Sequence, residues 1–335
     1  MGKTKVKKEK SRFVIRVEYF FFLIFYKVLE YLPIKLAMVF SSNLMKLVYF
    51  IDRRHTERTI SHIMYAGFET DLRKAKALAR ANFGEFGKLL VEIAKIKKLF
   101  SMDKIHRCGS PEAWKMLDEG LNGSKQFILV SGHYGNWEFA GTAIPRMTGI
   151  RMASLMRSFS NPLIGELILA QRGNADHSLV DKSKGLRPVL QAIAEGRIIS
   201  IIVDQHAATA EGVEVEFFGH PARQHKTPAL LHLKTGLPVI PTIFRRRSSD
   251  NFEFDCVLGE PILLSGTGDK EKDVAAVTQM IAWEIEDIIR EEPVQWLMAP
   301  RHWLSIDRRG AAGYADWKPP FTRAELENMR KDTAK

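Results

Sequence analysis

The chain has 335 residues, of which 45% are hydrophobic and 27% charged, with a formal net charge of +11. That apolar share can build a sizeable core and excludes a disordered polyelectrolyte. The two cysteines, Cys108 and Cys256, are far apart, which excludes a disulfide framework and a cysteine zinc site and fits a reducing compartment. The basic excess leaves three partner classes: nucleic acid, an anionic membrane surface, or acidic substrates.

The N-terminus chooses among them. Lys3, Lys5, Lys7, Lys8, Lys10 and Arg12 precede an aromatic and aliphatic run over residues 13–32. A small-residue cleavage site is missing, so a secretory signal does not fit. Arg16, Glu18 and Lys27 interrupt the run, so a clean span does not fit either. It reads as an anchor that sits in or partly crosses the bilayer, with its Lys and Arg at the headgroups. Residues 36–51 are a second apolar stretch, readable as further membrane contact or as a buried helix hairpin. The positive-inside bias places the N-terminus in the cytoplasm, and an interfacial anchor keeps the remainder there. Nucleic acid falls away, because the basic residues come with an anchor and with no nucleic-acid motif.

Beyond the anchor, a long helix is expected over 71–98, started by Asp71, and a short one over 111–119. An apolar run at 127–130 reads as a buried strand, followed by a helix over 137–147. A strand at 151–156, a helix at 162–171 and a helix at 186–195 stopped by Gly196 follow. Residues 198–203 form the next strand, 225–235 a helix stopped by Gly236, and 237–244 and 252–258 two more strands. A long amphipathic helix over 269–292 ends at Pro293. This alternation predicts an α/β fold: a mixed central sheet flanked by helices, with an N-terminal membrane-anchoring helical segment. Three segments result: 1–55 as basic head and anchor, 56–310 as one α/β domain, and 311–335 as a polar tail.

The chemistry is carried by Gly132-His133-Tyr134-Gly135-Asn136-Trp137-Glu138, directly after the strand at 127–130. On a continuous helix, five residues are about 500° of rotation, so His133 and Glu138 would not share a face. The spacing works if His133 precedes the helix and Glu138 sits in its first turn. Gly132 and Gly135 permit the tight turn, and Asn136 suits the N-cap. A carboxylate on one imidazole nitrogen fixes the tautomer, and the other nitrogen can take a hydroxyl proton. Backbone N–H groups of this turn are candidates for an oxyanion site.

His133 and Glu138 after an apolar strand resemble the HxxxxE/D box of the lysophospholipid acyltransferase superfamily. More closely, the chain resembles the lipid A biosynthesis lauroyl/myristoyl acyltransferases, from its N-terminal anchor to about Trp303. Arg157 lies in a Met-Arg-Ser-Phe-Ser-Asn-Pro segment and Arg172 precedes Gly173, each like a basic residue of that family. Val203-Asp204-Gln205, followed by Phe217-Phe218-Gly219, resembles its DQ…FFG block, and 227–241 its next helix–strand unit. The tail departs from the family, with Pro293-Val294-Gln295-Trp296 and Pro300-Arg301-His302-Trp303. A Phe-Pro-Glu-Gly-Thr block is missing, which argues against a lysophosphatidate acceptor.

The resemblance implies acyl transfer from an acyl-carrier-protein or coenzyme A thioester to a hydroxyl on a lipid A precursor. It implies a bacterial inner-membrane enzyme, working at the cytoplasmic face with no cofactor beyond the thioester. His133 would be the base and Glu138 its orienter, with Arg157, Arg172, Asp204, Gln205, Phe217 and Gly219 binding substrate. The residues themselves leave alternatives. Arg157 and Arg172 suit substrate phosphates or surface ion pairs. Asp204 suits an arginine partner or a strand cap. Phe217-Phe218-Gly219 suits an acyl groove or core packing. Arg245-Arg246-Arg247 reads as a solvated basic edge. His206, His220, His225 and His232 lack a metal-ligand spacing. Another glycolipid or an aminolipid as acceptor, or a non-catalytic lipid or carrier-protein binder, are the competing functions.

Overall fold

The computed structural model describes residues 11–123, 126–156, 159–172, 176–304 and 317–333. Four helices come first: α1 (Arg12–Tyr31), α2 (Ile34–Ile51), α3 (Arg53–Tyr65) and α4 (Leu72–Leu99). Then follow β1 (Ile105–Gly109), α5 (Pro111–Gly123), β2 (Ile128–Ser131), α6 (Ala140–Thr148) and β3 (Met152–Met156). The middle of the chain holds α7 (Pro162–Arg172), β4 (His177–Asp181), α8 (Arg187–Ala194) and β5 (Ile198–Ile202). The remainder comprises β6 (Gly212–Phe217), β7 (His220–His225), α9 (Thr227–Thr235), β8 (Val239–Ser248), β9 (Glu253–Leu258), α10 (Lys270–Glu291) and α11 (Arg323–Thr333).

Apolar runs make the centre of the sheet. β2 is buried at every position and β5 at all but its last, as strands covered by helices on both faces should be. The two pair in parallel, with Ser131 opposite Ile202. β3 and β4 continue in parallel beyond β5. On the other side β8 pairs with β2 in parallel and with β9 antiparallel, and β1 closes that edge. The result is the expected α/β architecture: a mixed seven-stranded sheet, in order β1-β9-β8-β2-β5-β3-β4, flanked by helices. A separate hairpin, β6–β7, lies against α10, where the Gln279 side chain bonds both the amide and the carbonyl of Glu216.

Several expected boundaries move. The helix expected from 137 starts at Ala140, because the Asn136 side chain accepts from Phe139 N at 3.0 Å and holds 137–139 as a turn. The helix expected from His225 starts at Thr227, because His225 ends β7. The segment expected as a polar tail contains α11, whose Leu326 is buried and whose Arg323 and Arg330 pair with Asp287 and Glu284 of α10. The basic triplet is not a solvated edge. Arg246 is buried and paired with Glu92 and Glu85 of α4, and Arg245 pairs with Asp255 and Glu291. Arg247, with its exposed side chain, reaches Asp255. Arg246 therefore fastens α4 to the sheet, while Arg245 and Arg247 pair with β9 and α10.

The N-terminal helices dock on α4 by close approach. A Cβ on Gly87 would sit 2.4 Å from the Ser41 carbonyl oxygen, and the Ser41 hydroxyl donates to the Gly87 carbonyl at 2.7 Å. Lys95 of α4 donates to the Glu30 and Leu32 carbonyls, closing the end of α1. The outer faces stay apolar and exposed: Phe13, Phe20, Phe21 and Ile24 on α1, and Val39, Phe40, Leu47 and Phe50 on α2. The second apolar stretch thus buries one narrow stripe, Ala37, Met38, Ser41 and Ser42, and leaves the rest exposed or half-buried. Among the described residues, α2 is the helix long and apolar enough to cross a bilayer. Gly87→Val should push α2 off α4 and cost about 1–3 kcal/mol by overpacking. Unfolding of the detergent-solubilised protein would measure it, with protease sensitivity rising between α1 and α3.

Candidate active site

β2 and β5 are parallel neighbours, so the loops leaving their carboxyl ends emerge side by side, where open α/β sheets place their ligands. The first loop carries His133 and the second Asp204. His133 Nδ1 lies 2.7 Å from Asp204 Oδ1, and the His133 backbone N–H donates to Oδ2 at 2.9 Å. The Trp296 indole N–H donates to the same Oδ2 at 2.8 Å. His302 Nδ1 donates to the Asp204 carbonyl at 2.7 Å and fixes the backbone behind the carboxylate. Burial alone would push the Asp204 carboxyl up. The His133 charge and hydrogen bond, with His302 and the Trp296 N–H, outweigh it and hold the group down at about 2. Asp204 is therefore an ionised carboxylate with no exposed side-chain surface, while His133 keeps 22% of its side chain accessible.

The turn that presents His133 is rigid. Gly135 has φ +54°, and a Cβ there would meet the Phe244 carbonyl oxygen at 2.1 Å, so no other residue fits. The Tyr134 amide bonds Gly132 O at 2.8 Å, Gly135 bonds Gln295 O at 3.0 Å, and Asn136 bonds Phe244 O at 2.8 Å. With the His133 amide on Asp204, these four N–H groups are committed within the scaffold. Gly135 and Asn136 shape the turn and do not offer amides to an oxyanion. The Trp137 ring stands edge-on to His133 at 5.1 Å, and the Gln205 side-chain nitrogen lies 3.3 Å from the imidazole Nδ1 and 3.4 Å from its Nε2.

The imidazole borders a cavity of about 470 Å³. Phe86, Leu89, Leu90 and Ile93 of α4, with Ile168 of α7, form an apolar wall, whereas Gln205, Lys182 and His225 add polar groups. Lys182 is engaged by Glu211 at 2.9 Å and by the His225 ring. Among the expected site residues, His133, Glu138 and Gln205 line this cavity together. Glu138 does so from the turn before α6, not from within the helix. The carboxylate on His133 Nδ1 is Asp204, not the expected Glu138, because parallel pairing of β2 with β5 brings residues 71 apart into contact. Arg157 lies outside the described residues, and Arg172 ends α7.

Phe217 and Gly219 do not line the cavity. Phe218 and Gly219 have φ +53° and +75°, the positive values that a two-residue hairpin turn needs. Phe217 and Phe218 are buried, and Phe218 stacks on Trp296 at 5.5 Å between ring centres. The pair buttresses the tryptophan that donates to Asp204. This is core packing with a positioning consequence, not an acyl groove.

Over residues 5–305 the chain matches the model of the bacterial lipid A biosynthesis acyltransferases. It belongs to that family. It is also 27% identical over 199 residues to a phosphatidylinositol mannoside acyltransferase of Mycobacterium tuberculosis, covering 56% of this chain and 58% of that protein. Identity is again 27%, over 215 residues, to the phosphatidylinositol mannoside acyltransferase of Mycolicibacterium smegmatis, covering 60% and 64%. The chain thus spans less than two thirds of these relatives' lengths.

The family member has site residues that sequence reasoning left out. Trp296 and His302 hold Asp204, and Asn82 of α4 donates to the Val294 and Trp296 carbonyls to seat the tail. The signal available was the crowding of Gln295, Trp296, His302 and Trp303 just beyond a helix stop. Trp296→Phe keeps an aromatic ring but loses the indole N–H that bonds a charged group, so stability should fall by at least about 1.5–3 kcal/mol. Chemical denaturation measures this.

Asp204 also sets an acid limit. Its carboxyl moves from 3.8 to about 2 on folding. It therefore contributes stability that is present above pH 3.8 and lost as pH falls through about 2. Unfolding free energies measured down this range should fall for the native protein, and the component should vanish in Asp204→Asn.

Proposed function

We propose that this protein transfers a fatty acyl group from an acyl thioester to a hydroxyl of a membrane glycolipid, a lipid A precursor. The observation that carries the reading is His133 itself. Its Nδ1 is held by a buried, ionised Asp204 while its ring borders a cavity with an apolar wall. Asp204 fixes the tautomer with the proton on Nδ1, which leaves Nε2 as the acceptor. The acceptor hydroxyl gives its proton to Nε2 as its oxygen bonds to the thioester carbonyl carbon. The carbon–sulfur bond then breaks, the thiolate leaves, and the imidazolium returns the proton to it. Asp204 stabilises the imidazolium between these steps. No covalent enzyme intermediate forms, and the thioester of acyl carrier protein or coenzyme A is the only co-substrate. With Nδ1 occupied by Asp204, we assign Glu138 to substrate positioning in the cavity. The exposed apolar faces of α1 and α2 and the basic head support residence on an anionic inner-membrane surface, active site to the cytoplasm.

A second acceptor class has its own support, because the curated relatives act, by name, on phosphatidylinositol mannoside. Labelled acyl transfer to a lipid A precursor and to a phosphatidylinositol mannoside, from carrier-protein and coenzyme A thioesters, separates the readings. The lipid A precursor should be acylated. His133→Ala and Asp204→Asn should each lose about 10²–10⁴-fold in kcat, and Glu138→Gln should act mainly on KM. Undiminished transfer by His133→Ala would overturn the mechanism, and acylation of the mannoside alone would overturn the acceptor.

A further inference from the structure

Attack of a hydroxyl on a thioester puts a negative charge on the former carbonyl oxygen. Such a charge is stabilised by hydrogen-bond donors that stand in place before it forms. The His133 turn supplies none, since its four amides are bonded to Asp204, Gly132, Gln295 and Phe244. The donor must therefore be a side chain on the cavity wall. It must also stand beside the base, because the attacking oxygen on Nε2 and the oxyanion share one carbon.

Other polar groups on that wall have duties elsewhere. Lys182 is held by Glu211 at 2.9 Å and by the His225 ring at 3.1 Å. Ser154 Oγ pairs with His177 Nε2 at 2.9 Å. Among the described residues, Gln205 is the cavity-lining side chain whose N–H reaches the His133 ring, 3.3 Å from Nδ1 and 3.4 Å from Nε2. Nδ1 gives its proton to Asp204 and cannot accept. The Nε2 contact is long for a hydrogen bond, so the amide stands near the base without being consumed by it.

The backbone around Gln205 is as firmly held as the histidine turn. The Asp204 carbonyl before it accepts from His302 Nδ1 at 2.7 Å, and the His206 amide after it donates to Arg301 O at 2.9 Å. The Ala207 amide continues to Arg223 O at 2.8 Å. The carboxyl end of β5 thus delivers two neighbours with different duties: a buried carboxylate on the imidazole and an amide on the cavity.

We propose that Gln205 is the oxyanion donor, its side-chain N–H binding the thioester carbonyl oxygen as the acceptor hydroxyl attacks. This assignment rests on the acyl-transfer reading. The acceptor oxygen bonds to the carbonyl carbon and gives its proton to Nε2, and the electron pair of the carbonyl π bond moves onto oxygen, where Gln205 meets it. As the carbonyl re-forms, the carbon–sulfur bond breaks and the thiolate takes the proton from the imidazolium. The apolar wall contributed by α4 keeps water from this oxygen, which strengthens the bond.

The test uses the full-length protein in detergent with the lipid A precursor and a saturated acyl thioester, read in single turnovers so that chemistry is separated from product release. Gln205→Met keeps the length of the side chain and removes the N–H. Its rate should fall by about 10²–10³-fold, with KM for donor and acceptor unchanged. The acid-side midpoint of its rate against pH, which reports the base, should stay at the native value. Gln205→Glu keeps the shape and puts a carboxylate where the amide stood; it should lose at least as much and decides the matter if Gln205→Met does not fold. Folded variants with the native rate, or a loss confined to KM, would overturn the assignment and leave acyl transfer standing. A displaced midpoint in Gln205→Met would make Gln205 a holder of the imidazole, which also overturns it. Native protein that transfers no chain from any thioester would overturn the acyl-transfer reading itself.

Discussion

The structure turns on one carboxylate taken out of water. An ion buried in this way is tolerated only when its oxygens are saturated by donors, because its desolvation otherwise costs several kcal/mol. The donors to Asp204 come from two distant places: backbone and ring of His133 after β2, and the indole of Trp296 from the tail. Its carbonyl takes a third, from His302. Each of these needs a separate piece of the fold in position. β2 and β5 must be neighbours, the tail must return across the sheet edge, and the β6–β7 turn must support Trp296 from behind. The charge that pairs with His133 is thus also what holds the loops together.

A second buried charge places the apolar half of the site. Arg246 of β8 pairs with Glu92 and Glu85 of α4, and burial would favour neither ion alone. Removing one partner of such a cluster typically costs 3–5 kcal/mol. The pairing fixes how α4 lies over the sheet, and α4 supplies the wall facing His133. The same helix receives α1 and α2 on its other side. The exposed apolar faces of α1 and α2 and the His133 cavity are therefore both referenced to one rigid element.

Much of this was legible in sequence, for identifiable reasons. β2 and β5 are continuous apolar runs, and a strand buried on both faces leaves that mark. The turn at His133 showed itself through Gly132, Gly135 and Asn136. The start of α6 was misplaced because Trp137-Glu138-Phe139 has helical composition, while a single side-chain bond from Asn136 keeps it a turn. The partner of His133 was misassigned because periodicity identifies strands but not their order in the sheet. Asp204 was visible as the residue closing a strand, and only adjacency gives it the histidine. Arg246 looked solvated because its compensation, Glu92, lies 154 residues away. β4 and the β6–β7 hairpin escaped notice because His177–Asp181 and His220–His225 are short and polar for strands.

The tail has a consequence for the life of the molecule. A ribosome delivers α1 and α2 before Trp296 and His302. Until those two arrive, the Asp204 carboxylate lacks its indole donor and its backbone clamp. The exposed apolar faces of α1 and α2 thus exist before the His133–Asp204 pair is fully clamped. Surface attachment through these faces can therefore precede completion of the Asp204 site.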